Sequence, residues 1–70
     1  MQRWPVKSSD LKSIGYDDAS QILEIEFHSG GIYQYSKVPP TVFNELMQAA
    51  SKGKYFHKCI KKSYEAKRIG

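Results

Sequence analysis

The chain has 70 residues, of which 40% are hydrophobic and 26% are charged, and this size and composition allow one small packed domain and exclude extensive disorder. Its single cysteine, Cys59, excludes an internal disulfide, and because no signal-peptide pattern or apolar run near the roughly 20 residues that span a bilayer is present, we expect a cytoplasmic protein without a membrane partner. The formal net charge of +4 at pH 7 favours a polyanionic partner.

Residues 1–10 are predicted to form a flexible N-terminal arm. They contain Pro5 and the polar run from Lys7 to Asp10, which are typical of irregular structure. Trp4 and Val6 are the two side chains able to dock this arm on the rest of the protein.

Three strands are predicted after the arm, joined by short turns. Leu11 to Tyr16 is the weakest candidate, whereas Ile22 to Phe27 alternates apolar and acidic residues, as a half-buried antiparallel strand does. Ile32 to Ser36 is rich in β-branched and aromatic residues and is the third strand. The connections at 17–20 and 29–31 have turn composition, and the adjacent glycines of the second allow positive φ angles.

Two helices are predicted after the sheet. Pro40 can open the first helix because a missing donor costs nothing at that position, and apolar residues recur with helical spacing from Thr41 to Ala50. Gly53 follows as a helix stop or a hinge. The second helix is predicted from Lys54 to Tyr64, with an apolar half toward the core and lysines on the opposite side.

The predicted fold class is α+β, with a three-stranded antiparallel meander followed by two helices packed on one face. The predicted single domain spans residues 11–64. It is preceded by the arm at 1–10 and followed by a frayed tail at 65–70.

The turn between the second and third strands decides where Tyr33 and Tyr35 point. A two-residue turn at Ser29-Gly30 exposes both tyrosines as a platform of the kind that stacks bases. A three-residue turn that also includes Gly31 pairs Phe27 with Tyr33 and turns both rings into the core. We favour the second register, because a one-residue slip would turn polar side chains inward.

Basic residues are concentrated at the C-terminal end. Residues 52–70 carry seven of the eleven basic residues and one of the seven acidic residues, which gives a local net charge of +6. The lysine side of the second helix is a candidate phosphate-binding surface, and the other interpretation is a solvated helix face. The candidate nucleic-acid-binding residues are Lys54, Lys58, Lys61 and Lys62, with Lys67 and Arg68 assisting and Tyr55 and Tyr64 able to stack on bases.

No catalytic, metal or cofactor site is predicted. His57 and Cys59 are two residues apart on a predicted helix and His28 lies at a turn, so they do not supply the three or four ligands of a metal site. Glu24 and Glu26 share one side of a strand, where a charged solvent-facing surface is the preferred interpretation. We therefore expect a non-enzymatic protein without cofactors.

A set of short segments occurs in a fixed order over most of residues 13–64. The segments are Ile14-Gly15-Tyr16-Asp17, Leu23 to Phe27, Gly30 with Tyr33-Gln34-Tyr35, Val38-Pro39, Ser51 to Phe56, and Ile60. In this order they resemble the KTSC domain, a module at the C-terminus of some lysyl-tRNA synthetases that also exists as stand-alone small bacterial proteins. The resemblance implies no catalytic residue, suggests RNA binding, and places the family's tyrosine pair at Tyr33 and Tyr35.

Two functional hypotheses follow from the sequence. The first is a small non-enzymatic module that binds RNA, either tRNA or a single strand, through the basic helix face. The alternative is a protein–protein interaction module, whose exposed sheet face or strand edge receives a partner segment or a second copy of the chain.

Overall fold

The computed structural model describes residues 1–70 as a five-stranded antiparallel sheet with helices on one face. The strands follow one another in sequence order, β1-β2-β3-β4-β5. Their bounds are Trp4–Pro5 (β1), Leu11–Asp17 (β2), Ile22–Phe27 (β3), Ile32–Tyr35 (β4) and Ala66–Arg68 (β5). The α+β class is confirmed, whereas the prediction of three strands is wrong because the sheet has a further strand at each edge.

Both additional strands come from segments that were predicted to be irregular. In β1, Trp4 lies opposite Ile14 of β2, and in β5, Arg68 lies opposite Tyr33 of β4. The arm and the tail thus form the two edges of the sheet. Their short edge strands carry a proline or basic side chains, which discourage pairing with other chains.

A bulge in β2 allows two residues of opposite parity to reach the core. Leu11 pairs with Phe27, but the register shifts before Ser13, so that Ile14 pairs with Ile25. Lys12 is the extra residue, as expected where two residues of one strand oppose one of the other. Leu11 and Ile14 are therefore both fully buried although they are three positions apart.

The β3–β4 hairpin has a register that neither predicted turn gives. Its loop is His28–Gly30, because the Phe27 amide donates to the carbonyl of Gly31 and the Gly30 amide donates to the carbonyl of Phe27, both at 2.9 Å. Gly30 has a φ of 107°, which only glycine adopts readily, and this fixes the three-residue loop one position earlier than expected. Both tyrosines nevertheless lie on the core side as favoured, with Tyr35 buried at 4% exposed and Tyr33 only partly buried.

The first helix begins at Pro40 as predicted, whereas the second begins earlier and ends earlier than expected. Helix α1 spans Pro40–Gln48 and has proline at its first position. Helix α2 spans Lys52–Tyr55 and continues as one π-helical turn over Phe56–Ile60, where the Lys61 amide donates to the Phe56 carbonyl at 2.9 Å. The predicted helix from Lys54 to Tyr64 is therefore wrong at both ends.

Ser51 caps the start of α2, and Gly53 lies within this helix. The Ser51 hydroxyl accepts a hydrogen bond from the Lys54 amide at 3.3 Å and caps the helix. Gly53 is buried, and a Cβ atom there would lie 3.4 Å from both Ser8 and Asp10. These are ordinary van der Waals separations, so a methyl group would fit, and Gly53 lies within α2 as neither a stop nor a hinge.

The hydrophobic core lies between the sheet and the helices. Phe56 and Ile60 of the π-helical turn and Leu46 of α1 pack on the sheet, and α1 adds a stacked pair between Phe43 and Tyr16 with ring centroids 4.7 Å apart. The nine buried core residues are Leu11, Ile14, Leu23, Ile25, Tyr35, Val38, Leu46, Phe56 and Ile60.

The opposite face of the sheet carries a polar network in place of the expected solvent-facing acids. Glu24 is 3% exposed, because Arg3 of the arm lies over it and forms an ion pair with its carboxylate. Gln34 donates to the same carboxylate at 2.9 Å, and Ser13 donates to Glu26 at 2.9 Å. Burial on its own raises the pKa of Glu24, but the hydrogen bonds from Gln34 and Arg3 outweigh it and lower that pKa below 4.5.

Because of this network, we expect the unfolding free energy of the protein to fall at acidic pH as Glu24 becomes protonated. A carboxyl group whose pKa is lower in the folded state contributes stability above its unfolded pKa, and that contribution is lost as the pH falls through the folded pKa. We expect Glu24→Gln to reduce the unfolding free energy near neutral pH and to bring it close to that of the unmodified protein in acid. Urea unfolding followed by circular dichroism at a series of pH values measures this difference.

The exposed Glu65 supplies a control for this measurement, because its side chain makes no hydrogen bond or ion pair. Glu65→Gln is expected to leave the pH dependence unchanged. A destabilisation by Glu24→Gln that stays constant from neutral to acidic pH would contradict the role given to the Glu24 carboxylate.

Candidate nucleic-acid interface

An aromatic groove lies on the helical side of the sheet, beside the β4 strand. It has a volume of about 560 Å³ and is bounded by the β3–β4 hairpin, the N-terminal loop around Asp10 and the π-helical turn. Phe27, Tyr33, Tyr35 and Phe56 form its floor, and we call this recess the aromatic groove throughout. It is the one concave site of appreciable size in the molecule.

The four rings of the floor hold one another in place. Phe27 meets Tyr33 edge-on at 5.7 Å and 77° between planes, and Phe56 meets Phe27 and Tyr35 edge-on at 5.4 Å. Edge-to-face pairs at such separations are favourable beyond simple burial. Burial, followed by the neighbouring Tyr33, raises the pKa of Tyr35, which keeps its hydroxyl protonated at neutral pH. Tyr33 and Phe27 are the two rings of the floor that remain partly accessible.

Two histidines at the rim connect the N-terminal loop to the rest of the groove. The His57 Nε2 atom lies 3.1 Å from the Asp10 carboxylate, and the His28 Nε2 atom lies 3.0 Å from the Ser8 carbonyl oxygen. His28 therefore donates from Nε2. These contacts hold the hairpin and the π-helical turn against the same loop, which fixes the width of the groove.

Arg68 places a cation directly beside the Tyr33 ring. Its guanidinium carbon is 5.9 Å from the centroid of Tyr33, and its Nε atom donates to the Gly70 carbonyl at 2.8 Å. Such a contact is within cation–π range. Gly31 makes room for it, because a Cβ atom there would lie 2.9 Å from the Tyr33 ring and 3.8 Å from the Arg68 guanidinium.

The structure places the predicted basic residues on the surface, but not on one helical face. All six are exposed, and none of them forms a salt bridge. Because α2 ends at Tyr55 and the π-helical turn ends at Ile60, they are distributed over α2, the π-helical turn, the following turn and β5. Only Lys61 lines the aromatic groove, and Arg68 lies beside it. The six residues are Lys54, Lys58, Lys61, Lys62, Lys67 and Arg68.

The two tyrosines predicted as base-stacking residues lie away from the groove. Tyr55 and Tyr64 are half-buried and pack against the core. The Tyr55 hydroxyl donates to the Glu45 carboxylate at 2.8 Å. Burial and, after it, the Glu45 carboxylate raise the pKa of Tyr55 to about 12. The engaged hydroxyl and the packed ring make Tyr55 a structural residue in this arrangement.

The remaining chemical candidates do not come together. His28 and His57 occupy the groove rim, whereas Cys59 is half-buried next to the core. No group of three histidine, cysteine or acidic side chains is arranged to hold a metal ion. Neither helix combines the length and apolar character needed to cross a membrane.

Sequence reasoning identified only part of the groove. It singled out Tyr33, Tyr35 and Lys61, but it missed Phe27, Phe56 and the loop that carries Asp10. These residues come from segments far apart in the chain, so no local spacing indicates that they meet. The one signal was the motif segment from Ser51 to Phe56, whose last residue forms part of the floor.

This chain is similar along most of its length to other small proteins and to a short segment of a much larger enzyme. The profile of the KTSC domain matches residues 7–64. An uncharacterised protein of Stutzerimonas stutzeri is 48% identical over 61 residues, which make up 87% of this chain and 86% of that protein. A lysine–tRNA ligase of a Nostoc species is 46% identical over 63 residues, which make up 90% of this chain but 11% of the ligase. A crystal structure of a KTSC domain protein from Yersinia pestis matches with a TM-score of 0.96 at 45% identity, covering 99% of this chain and 97% of that one.

Proposed function

This chain belongs to the KTSC domain family, and from that premise we propose that it is a non-enzymatic module that binds RNA through the basic surface of its C-terminal third. The observation that carries the proposal is that six cationic side chains between Lys54 and Arg68 are exposed and free of ion pairs. Cations already paired with carboxylates gain little from phosphate, whereas free ones release counterions from the RNA when they bind.

The lysine–tRNA ligase relatives supply independent support for RNA as the polyanion. Those enzymes act on tRNA by name, and a sequence similar to 90% of this chain occupies 11% of the Nostoc enzyme. The presence of a similar segment in an enzyme that acts on tRNA supports RNA as the polyanion in this proposal. Lysine supplies a point charge without a planar fork, so phosphate contacts of this kind position RNA without reading its sequence.

We expect Lys58→Ser combined with Lys62→Ser to weaken RNA binding and to reduce its salt dependence. If both lysines contact phosphates of a single strand, the slope of log K against log salt concentration falls by about 1.4, because each contact contributes about 0.7. Fluorescence anisotropy with labelled tRNA and with a labelled single-stranded RNA, at several low salt concentrations, measures affinity and slope together.

Lys7→Ser combined with Lys12→Ser is the matched control. It removes the same two charges from exposed positions in the N-terminal part of the chain. Equal losses in the two double variants would mean that net charge alone drives binding. Absence of saturable binding to either RNA at low salt would overturn the proposed function.

The alternative of a protein-interaction module has less support. Strand addition needs an open edge, but the two edge strands have two and three residues, and one of them contains Pro5. The sheet face opposite the helices is occupied by the network of Arg3, Glu24 and Gln34. Sedimentation across a dilution series tests whether the chain associates with a second copy.

A further inference from the structure

We propose that the aromatic groove binds an unpaired nucleotide of this RNA, with its base against the Tyr33 ring and its phosphate near Lys61 and Arg68. This inference rests on the proposed function and deepens it. It assigns the place of base contact, and it names the class of RNA as a single strand or a loop, in preference to a duplex.

The shape of the groove selects an unstacked base. A volume of about 560 Å³ lies within the range of about 300 to 1,000 Å³ that is typical of small-ligand pockets. A base in a duplex is stacked above and below and presents only its edges, so it cannot enter a recess. A base in a loop or a single strand can leave the stack and lie on aromatic side chains.

Tyr33 is the ring suited to contact that base. Tyr35 and Phe56 are 4% and 1% exposed and lie too deep. Phe27 and Tyr33 are both partly buried, but only Tyr33 has a cation, Arg68, beside its ring. Its orientation is already fixed by the edge-on contact with Phe27 at 5.7 Å. A ring that is held before binding loses little side-chain freedom when a base stacks on it, and each stacked base contributes about 1 to 3 kcal/mol.

Two cations without an ion pair border the groove, and the proposal assigns the phosphate to them. The Nε atom of Arg68 is engaged with the Gly70 carbonyl, which orients the guanidinium beside Tyr33, while its two terminal nitrogens make no hydrogen bond within the protein. Lys61 lines the groove and has no carboxylate partner. An oriented guanidinium donates two parallel hydrogen bonds to a phosphate, which is stronger than contact with a point charge.

Asp10, the one acidic side chain that lines the groove, favours a nearby base over a nearby phosphate. The Oδ2 atom of Asp10 is engaged with His57 at 3.1 Å, and its Oδ1 atom has no partner within the protein. A carboxylate oxygen repels phosphate but accepts a hydrogen bond from the amino or imino group of a base. The groove therefore offers separate places for the two ends of one nucleotide.

The test compares a single-stranded RNA of about 12 nucleotides, within the site sizes of single-strand-binding proteins, with the same strand annealed to its complement. We expect Tyr33→Leu to weaken binding of the single strand by about 5- to 150-fold, the equivalent of one stacked base, and to leave duplex binding unchanged. Tyr33→Phe keeps the ring and is expected to bind like the unmodified protein. Lys62→Ser, whose lysine does not line the groove, is expected to weaken both RNAs to a similar, smaller extent.

A second measurement on the unmodified protein removes any dependence on the folding of the Tyr33 variant. Stacking of a base moves the ring-proton resonances of Tyr33 upfield and gives nuclear Overhauser contacts to base protons, and we expect both with the single strand alone. If RNA binds in a salt-sensitive way, but these signals are absent and Tyr33→Leu keeps its affinity, the groove is not the base-binding site. The proposed RNA-binding function would still stand in that case. Failure of every RNA to bind overturns the proposed function itself.

Discussion

Replacing Phe56 with alanine is expected to cost about 3 to 5 kcal/mol of unfolding free energy, the range for an aromatic residue removed from a core. Phe56 is 1% exposed and contacts both Phe27 and Tyr35 edge-on. A domain of this length has a total stability of about 4 to 10 kcal/mol. The substitution therefore leaves the protein only marginally folded, and it also removes part of the groove floor.

Urea unfolding followed by circular dichroism measures this loss. Phe56→Leu keeps most of the buried volume and is expected to cost much less, and Phe43→Ala is expected to fall between the two, because Phe43 keeps part of its surface in water while stacking on Tyr16. If Phe56→Ala is tolerated as well as Phe56→Leu, the ring is not the element that joins the π-helical turn to the sheet.

Local pattern predicted the centre of the sheet well and its edges poorly. Strand β3 has the alternation of a half-buried strand, and its predicted bounds are the observed ones. Strand β5 consists of three exposed residues, Ala66 to Arg68, and therefore has no buried face to create a pattern. Strand β1 has two residues, one of them a proline, which is a poor strand signal anywhere.

The candidate site could be predicted only as far as single residues. The observed β3–β4 register differs from the favoured one by two residues, so Tyr33 and Tyr35 stay on the predicted side of the sheet although their partners in β3 are different. The proximity of Arg68 to Tyr33 depends on β5 and could not be foreseen without it. The prediction that Glu24 faces solvent was wrong for a similar reason, because Arg3 reaches Glu24 from the other edge of the sheet.

Gly15→Ala is expected to destabilise the protein, although such a change in an unconstrained extended segment stabilises by about 0.4 to 1 kcal/mol. A Cβ atom at this position would lie 2.6 Å from the backbone carbonyl oxygen of Gln2 and 2.9 Å from the Cγ atom of Arg3. The N-terminal segment must move away, at a cost of about 1 to 3 kcal/mol for overpacking. Loss of the charged hydrogen bond from Arg3 to Glu24 adds about 1.5 to 3 kcal/mol.

A double-mutant design separates the steric clash from any other effect of the methyl group. In a variant that lacks residues 1–3 the clash is absent, so Gly15→Ala is expected to be neutral or stabilising there, and the sign of its effect reverses between the two backgrounds. Gly15 lies on the sheet face opposite the aromatic groove, where its neighbours are Met1, Gln2 and Arg3. At temperatures where the variant remains folded, its affinity for RNA is therefore expected to be unchanged. Equal destabilisation in both backgrounds would show that the N-terminal segment is not what requires glycine at this position.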